Sequence, residues 1–160
     1  DIKLKKYLDD EKNITKNSYQ KFNQRVENTK KNILEILKII GNNKNVIGYG
    51  ASTKGNIVLN HCNITSKDIQ YICDANPFKF KKFTPGSNIE IISKKKMRKL
   101  NPKYLLVLIW SFRKEVINQE INYIKKGGKL IFHLPQLHII DKNNYKKFLN
   151  SDFKPFSFDY

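Results

Sequence analysis

The chain has 160 residues, 39% of them hydrophobic and 12% aromatic, enough for one domain with its own core and short for two. No apolar run approaches the ~18–20 residues that a membrane span needs, and no basic-then-apolar leader opens the sequence, so a cytoplasmic protein is expected, with no membrane partner. The net charge of +17 comes from 28 lysines and only three arginines, Arg25, Arg98 and Arg113.

Readers of base edges lean on the arginine fork, so nucleic acid is not expected as the main partner. Such a field should still draw anionic substrates. The two cysteines, Cys62 and Cys73, lack a zinc spacing, and no metal is expected. They read as reduced, buried thiols.

Residues 1–16 are lysine-rich and polar and read as a linker or a fraying start. From Ser18 the pattern turns helical: Tyr19, Phe22, Val26, Ile33, Leu37 and Ile40 recur at helical steps, and Gly41-Asn42-Asn43 ends the run. This helix either packs on the domain's own sheet or serves as a docking arm toward another domain. Val46 to Gly48 begins the first strand. A second helix follows the glycine loop and ends at His61 and Cys62. Ile69 to Cys73 is a mostly apolar second strand, as a buried parallel strand should be.

A basic loop with Phe78, Phe80 and Phe83 interleaved runs from Asn76-Pro77 to Pro85-Gly86. It reads either as a flap over a diphosphate or as a surface loop anchored by its phenylalanines. Ile89 to Ile92 is a short strand. Ser93 caps a basic helix, Lys94 to Leu100, to which no chemistry is assigned. Tyr104 to Ile109 is the strongest strand signal. Arg113 to Lys126 is an amphipathic helix with Val116, Ile117, Ile121 and Ile124 inward. Lys129 to Leu134 is the last core strand. The tail, 141–160, is expected to pack on the domain or be partly disordered, with a short helix at Asn144 to Leu149 and an aromatic end, Phe153, Phe156, Phe158 and Tyr160.

This alternation predicts an α/β domain over 17–140: a Rossmann-like, doubly wound, mostly parallel sheet with an N-terminal helix. Its centre of interest is Val46-Ile-Gly-Tyr-Gly-Ala-Ser-Thr-Lys-Gly-Asn56, which reads as strand, tight turn and helix. Gly48 and Gly50 let the backbone turn sharply and approach a ligand. Ser52, Thr53 and Asn56 put short polar groups at a helix start, where unpaired N–H groups suit an anion, and Lys54 adds a cation. The dinucleotide fingerprint fits in part: Gly48-x-Gly50 matches, but the next glycine, Gly55, comes two places late. Asp74 follows the second strand at about the fingerprint's distance of ~20 residues. The P-loop pattern fits worse, because Asn56 stands where its lysine belongs. A dinucleotide-binding oxidoreductase or sensor, a lysine-rich interaction module, and a turn whose glycines serve geometry alone all remain open. Asp74 could meet a ligand or cap the turn with Asn76. Trp110 could stack on a base or sugar ring or cap the core.

Six fragments, in order over about residues 18–135, resemble the C-terminal domain of sugar C-methyltransferases, which methylate nucleotide-linked keto-sugars. They are Phe22-Asn-Gln-Arg-Val26, Gly48 to Asn56, Asp74-Ala-Asn-Pro77 with Lys79, Thr84-Pro-Gly-Ser87, Tyr104 to Phe112, and Glu115, Glu120 and Gly127-Gly-Lys-Leu-Ile131. His133 departs from the family pattern, which has a proline near there. The resemblance implies that this domain holds a nucleotide diphosphate sugar, dTDP- or UDP-linked, in deoxysugar or surface-glycan biosynthesis. The implied binding residues are Gly48, Gly50, Ala51, Ser52, Thr53, Lys54, Gly55, Asn56, Asp74, Asn76, Lys79 and Trp110. It also implies that S-adenosylmethionine, the zinc site and the acid–base residues belong to a preceding methyltransferase region of such proteins, so that this chain is either a domain cut from one or a stand-alone relative reused for another step in sugar modification. No catalytic residue and no cofactor are therefore assigned to this chain, and no methyl transfer is expected of it alone.

Overall fold

The computed structural model describes residues 2–12, 14–41 and 43–151. Among these, β1 (Val46–Tyr49), β2 (Tyr71–Asp74), β3 (Glu90–Ser93), β4 (Tyr104–Val107), β5 (Lys129–Phe132) and β6 (His138–Ile140) form one sheet in the order β3-β2-β1-β4-β5-β6. The first five are parallel, and β6 runs antiparallel to β5. This is the expected Rossmann-like α/β architecture. Strand order reverses between β1 and β4, which fixes the switch point where open α/β sheets bind ligands.

Side-chain alternation divides the core into two layers. Ile47, Tyr49, Leu105, Val107, Leu130 and Phe132 face one way; Val46, Ile72, Ile91, Leu106 and Ile131 face the other. The first layer is covered by α4 (Lys94–Leu100), α5 (Arg113–Gln119), α6 (Ile121–Lys125) and α7 (Tyr145–Asn150), through Met97, Val116, Ile117, Ile124 and Tyr145. The second is covered by α2 (Lys16–Ile40) and α3 (Thr53–His61), through Ile33, Ile36, Leu37, Ile40 and Leu59. Every β1 residue is buried, as a central parallel strand requires.

Helix α2 starts earlier than Ser18. Thr15 caps it, and Thr15 and Ser18 form a reciprocal capping box. Gly41, in the left-handed region, closes it by donating to the Leu37 carbonyl. At 25 residues it is about 37 Å long. Its C-terminal turns pack on the sheet, while Tyr19 and Phe22 in its first half are exposed. The packing alternative is thus realised by the second half of the helix. The segment read as a linker contains α1 (Ile2–Lys12), an exposed helix. Leu4, Tyr7 and Leu8 share one side of α1, and Lys12 pairs with Asp9 at 2.8 Å.

The helix expected over Arg113 to Lys126 is broken at Glu120. Periodicity put Ile121 inward, but Glu120 is the wholly buried residue, and Ile121 is only half-buried. The Tyr49 hydroxyl donates to Glu120 Oε1 at 2.8 Å, and Arg98 Nη1 lies 2.7 Å from Oε2. These partners draw the carboxylate under the sheet's end and turn the chain there. Just before the tail lies β6, which had no sequence signal of its own; in the tail, α7 lies one residue from its expected bounds. Asn42 and the aromatic end, Phe153, Phe156, Phe158 and Tyr160, lie outside the described residues.

Both cysteines are free and buried. Burial pushes the Cys73 thiol up to about 12, with Glu120 adding to the shift. His133, following β5, is 1% exposed, and burial lowers its pKa to about 4. The ring is thus neutral in the folded chain and takes up a proton on unfolding below the ordinary histidine value. Its contribution to stability is complete above about pH 6.5 and is lost as pH falls toward 4. The shift corresponds to roughly 3 kcal/mol. Urea unfolding at pH 7 and pH 4.5 should show His133→Leu losing less stability on acidification than the parent chain. Identical losses would mean that His133 is not a neutral buried group.

Candidate functional site

The glycine loop leaves β1 at Gly50, whose φ is +91°. Its N–H donates to the Cys73 carbonyl at 2.8 Å, keeping the loop's first residue on β2. A side chain here would be strained and would meet Ile109 Cγ2 at 2.6 Å, so only glycine fits. Ser52 then caps α3, its Oγ accepting from the Gly55 N–H at 3.0 Å. The N–H groups of Thr53 and Lys54, next in the first turn, have no partner within a helix. Gly55 is buried, and a Cβ there would lie 2.8 Å from Leu108 Cβ. It brings α3 tightly against the end of β4, which is the task of the third glycine in the dinucleotide fingerprint, performed two positions later. Gly48 lies inside β1, between β2 and β4, where a Cβ would meet Ile72 Cγ1 at 2.8 Å. It serves strand packing and is not at the cleft.

Asp74, Asn76 and Lys79 fasten this loop to the next one. The Ala51 N–H donates to Asp74 Oδ2 at 2.8 Å. Lys79 Nζ donates to the Ala51 carbonyl at 2.8 Å and to Asp74 Oδ2 at 3.3 Å. Asp74 Oδ1 accepts from the Asn76 N–H, and Asn76 Oδ1 from the Phe78 N–H at 3.0 Å, where a 3-10 turn begins at Pro77. Both polar groups of the Ala51 backbone are therefore held by side chains from the Asp-x-Asn-Pro-x-Lys segment. Of the two readings of Asp74, the turn cap is realised. Of the phenylalanines of this basic loop, Phe78 and Phe83 are 83% and 57% exposed, and only Phe80 is half-buried. In Thr84-Pro-Gly-Ser87 the buried Thr84 and Ser87 hydroxyls share a hydrogen bond of 2.7 Å, and Asn60 of α3 donates to the Pro85 carbonyl at 3.0 Å.

At the switch point lies a cleft of about 270 Å³. One wall is the start of α3, with Ser52, Thr53 and Lys54; the other is Leu108, Ile109 and Trp110 at the end of β4. Of the residues singled out in the sequence, this cleft gathers Ser52, Thr53, Lys54 and Trp110. Gly50 lies behind Ile109, and Asn56 is one position beyond the first turn, with its Oδ1 buried.

A second cavity of about 330 Å³ opens on the other side of Ile109 and Phe112. Asp74, Lys94, Glu115 and Gln119 supply its charged and amide side chains, with Tyr49 and Gly50 beneath. Lys94 had no assigned chemistry in the sequence. Its N-capped position at the head of a short basic helix gave no signal; only the β3–β2–β1 arrangement carries that helix beside α5. Among the described residues, no group of three or more His, Cys, Asp and Glu side chains could hold a metal, and no helix is long and apolar enough to cross a membrane.

Residues 2–135 match the family model for the C-methyltransferase C-terminal domain. C-methyltransferase NovU of Streptomyces niveus is 32% identical over 123 residues, covering 76% of this chain. The aligned stretch is 29% of NovU's own length. The loop, the Asp74–Lys79 segment and the Trp110 strand end all fall within the family match.

If the side chains of the second loop hold the first, removing them should loosen the fold. Asp74→Ala strips acceptors from two backbone N–H groups and should cost about 1–3 kcal/mol in urea unfolding. Lys79→Met should cost about 1 kcal/mol or less, because that pair is partly exposed. An Asp74→Ala chain as stable as the parent would show that the loop does not depend on this fastening.

Proposed function

Because the chain belongs to the C-methyltransferase C-terminal domain family, we propose that it is the nucleotide-sugar-holding domain of a sugar C-methyltransferase. The observation that carries this reading is the cleft between the start of α3 and Trp110. Thr53 and Lys54 N–H groups and the Lys54 ammonium suit a diphosphate, and Trp110 offers a face for a base. Asp74, Asn76 and Lys79 act through the loop, holding its backbone in place, and Gly48 and Gly55 act through packing.

The same fastening argues against the dinucleotide-enzyme reading. That chemistry needs the acid at the end of β2 for a ribose hydroxyl. Here Asp74 already accepts from the Ala51 and Asn76 N–H groups and from Lys79, so three of its roughly four acceptor sites are taken by the chain. S-adenosylmethionine, in this reading, belongs to another domain of a full-length protein, and the 160-residue chain by itself does not transfer methyl groups. Deoxysugar or surface-glycan biosynthesis in the cytoplasm is the setting we propose.

Helix-start and charged hydrogen-bond terms of about 0.3–1 and 1.5–3 kcal/mol each support, after ordering costs, an affinity around micromolar for thymidine or uridine diphosphate. Lys54→Ala should weaken that binding roughly tenfold in titration calorimetry, as loss of one charged hydrogen bond implies. Lys95→Ala, on exposed α4, is the control and should change little. Equal losses at the two positions would mean diffuse charge attraction and no site at the loop. In a separate assay, labelled S-adenosylmethionine and keto-sugar nucleotides incubated with this chain should yield no labelled sugar. Catalytic transfer of label would overturn the assignment of the cofactor to another domain.

A further inference from the structure

The two cavities differ in a way that assigns the ends of the ligand. The walls of the first, beyond the start of α3, are Leu108, Ile109 and Trp110. The second presents an ammonium, a carboxylate and an amide drawn from two helices: Lys94 of α4, and Glu115 and Gln119 of α5. We propose that this second cavity is the subsite for the sugar ring of the nucleotide sugar, a proposal that rests on the function given above.

Two of these polar groups, Lys94 and Gln119, are held before any ligand arrives. Lys94 Nζ donates to Gln119 Oε1 at 2.6 Å and lies 4.8 Å from the centre of the Tyr49 ring. The Tyr49 hydroxyl donates to the same Gln119 oxygen at 3.2 Å and to the buried Glu120 at 2.8 Å. Gln119 is thereby tied to the core, and Lys94 to Gln119. Glu115 stands one turn before Gln119 and so on the same side of α5.

The chemistry of this set suits a hydroxyl-bearing ring. Each sugar hydroxyl both donates and accepts. Lys94 and the Gln119 amide nitrogen donate, and the Glu115 carboxylate accepts. A phosphate would face both Glu115 and Asp74 in this cavity. A base finds its apolar wall and its indole in the first cleft. The cavities share Ile109 and Phe112 as a common wall, with Gly50 on one side and Ser52 to Lys54 on the other. A diphosphate at the loop therefore has the base cleft and the polar cavity on its two sides.

Titration calorimetry on the whole chain, with thymidine diphosphate and thymidine diphosphate-glucose as a matched pair, separates the two parts of the ligand. Lys94→Ala and Glu115→Gln should each weaken binding of the sugar nucleotide about tenfold and leave thymidine diphosphate within about twofold. In spectra of the nitrogen-15-labelled chain, the Gln119 side-chain amide should move with the sugar nucleotide and stay with thymidine diphosphate. Variants that bind the sugar nucleotide as tightly as the parent, or that weaken both ligands alike, overturn the subsite and leave the diphosphate loop standing. A parent chain that binds neither ligand overturns the loop and the subsite together.

Discussion

The Ala51 peptide is the point on which the cleft depends. Its N–H is taken by Asp74 and its carbonyl by Lys79, so the loop after β1 cannot move without the loop after β2. Carboxylate and ammonium also face each other at 3.3 Å, which closes a small ring of charge and backbone. The lysine is partly exposed, so the ion pair itself contributes little. The geometric effect is larger than the energetic one. With Ala51 fixed, Ser52 is set to cap α3, and the first N–H groups of that helix point to the switch point.

Beneath the same strand ends lies a second constraint, a carboxylate with no exposure. Glu120 accepts from Tyr49 and pairs with Arg98. Burial and the neighbouring carboxylate raise the Tyr49 pKa far above the ordinary phenol range, so Tyr49 remains a donor. The carboxylate of this pair is buried while Arg98 is partly exposed, and desolvation of the carboxylate offsets much of the attraction. What it provides is position. It ties β1, α4 and the α5–α6 break together, and through Tyr49 it orients Gln119 and Lys94 at the mouth of the second cavity.

The family segments thus divide into those that build and those that face the cleft. Thr84 to Ser87 satisfies its own hydroxyls, and Asp74 to Lys79 supports the loop. Ser52 to Lys54 and Trp110 face the open space. The lysine surplus belongs mostly to neither group. Lys96 and Lys103 lie over tyrosine rings, Lys96 also pairs with Glu90, and Lys31 pairs with Glu35 along its own helix. Their flexible stems cover apolar surface while the ammonium groups stay in water.

The five parallel strands and the loop were legible in the sequence, because these are written in local pattern. Val46 to Tyr49 is apolar and then glycine-rich, and Tyr104 to Ile109 is an unbroken apolar run. Family fragments in register reached the same segments independently. Helix α1 and strand β6 were not legible: one is a lysine-rich stretch with few apolar residues, and the other is three residues whose partner is β5. The α5–α6 break was hidden because an apolar stripe cannot reveal that a carboxylate takes an inward place; only Tyr49 and Arg98, distant in sequence, make that burial possible. The division of labour at the site was likewise decided in three dimensions. Asp74 and Trp110 look alike in the chain, each a candidate site residue at the end of an apolar run. Sheet order sends one back to the Ala51 amide and the other to the wall of the cleft, since β2 and β4 lie on opposite sides of β1.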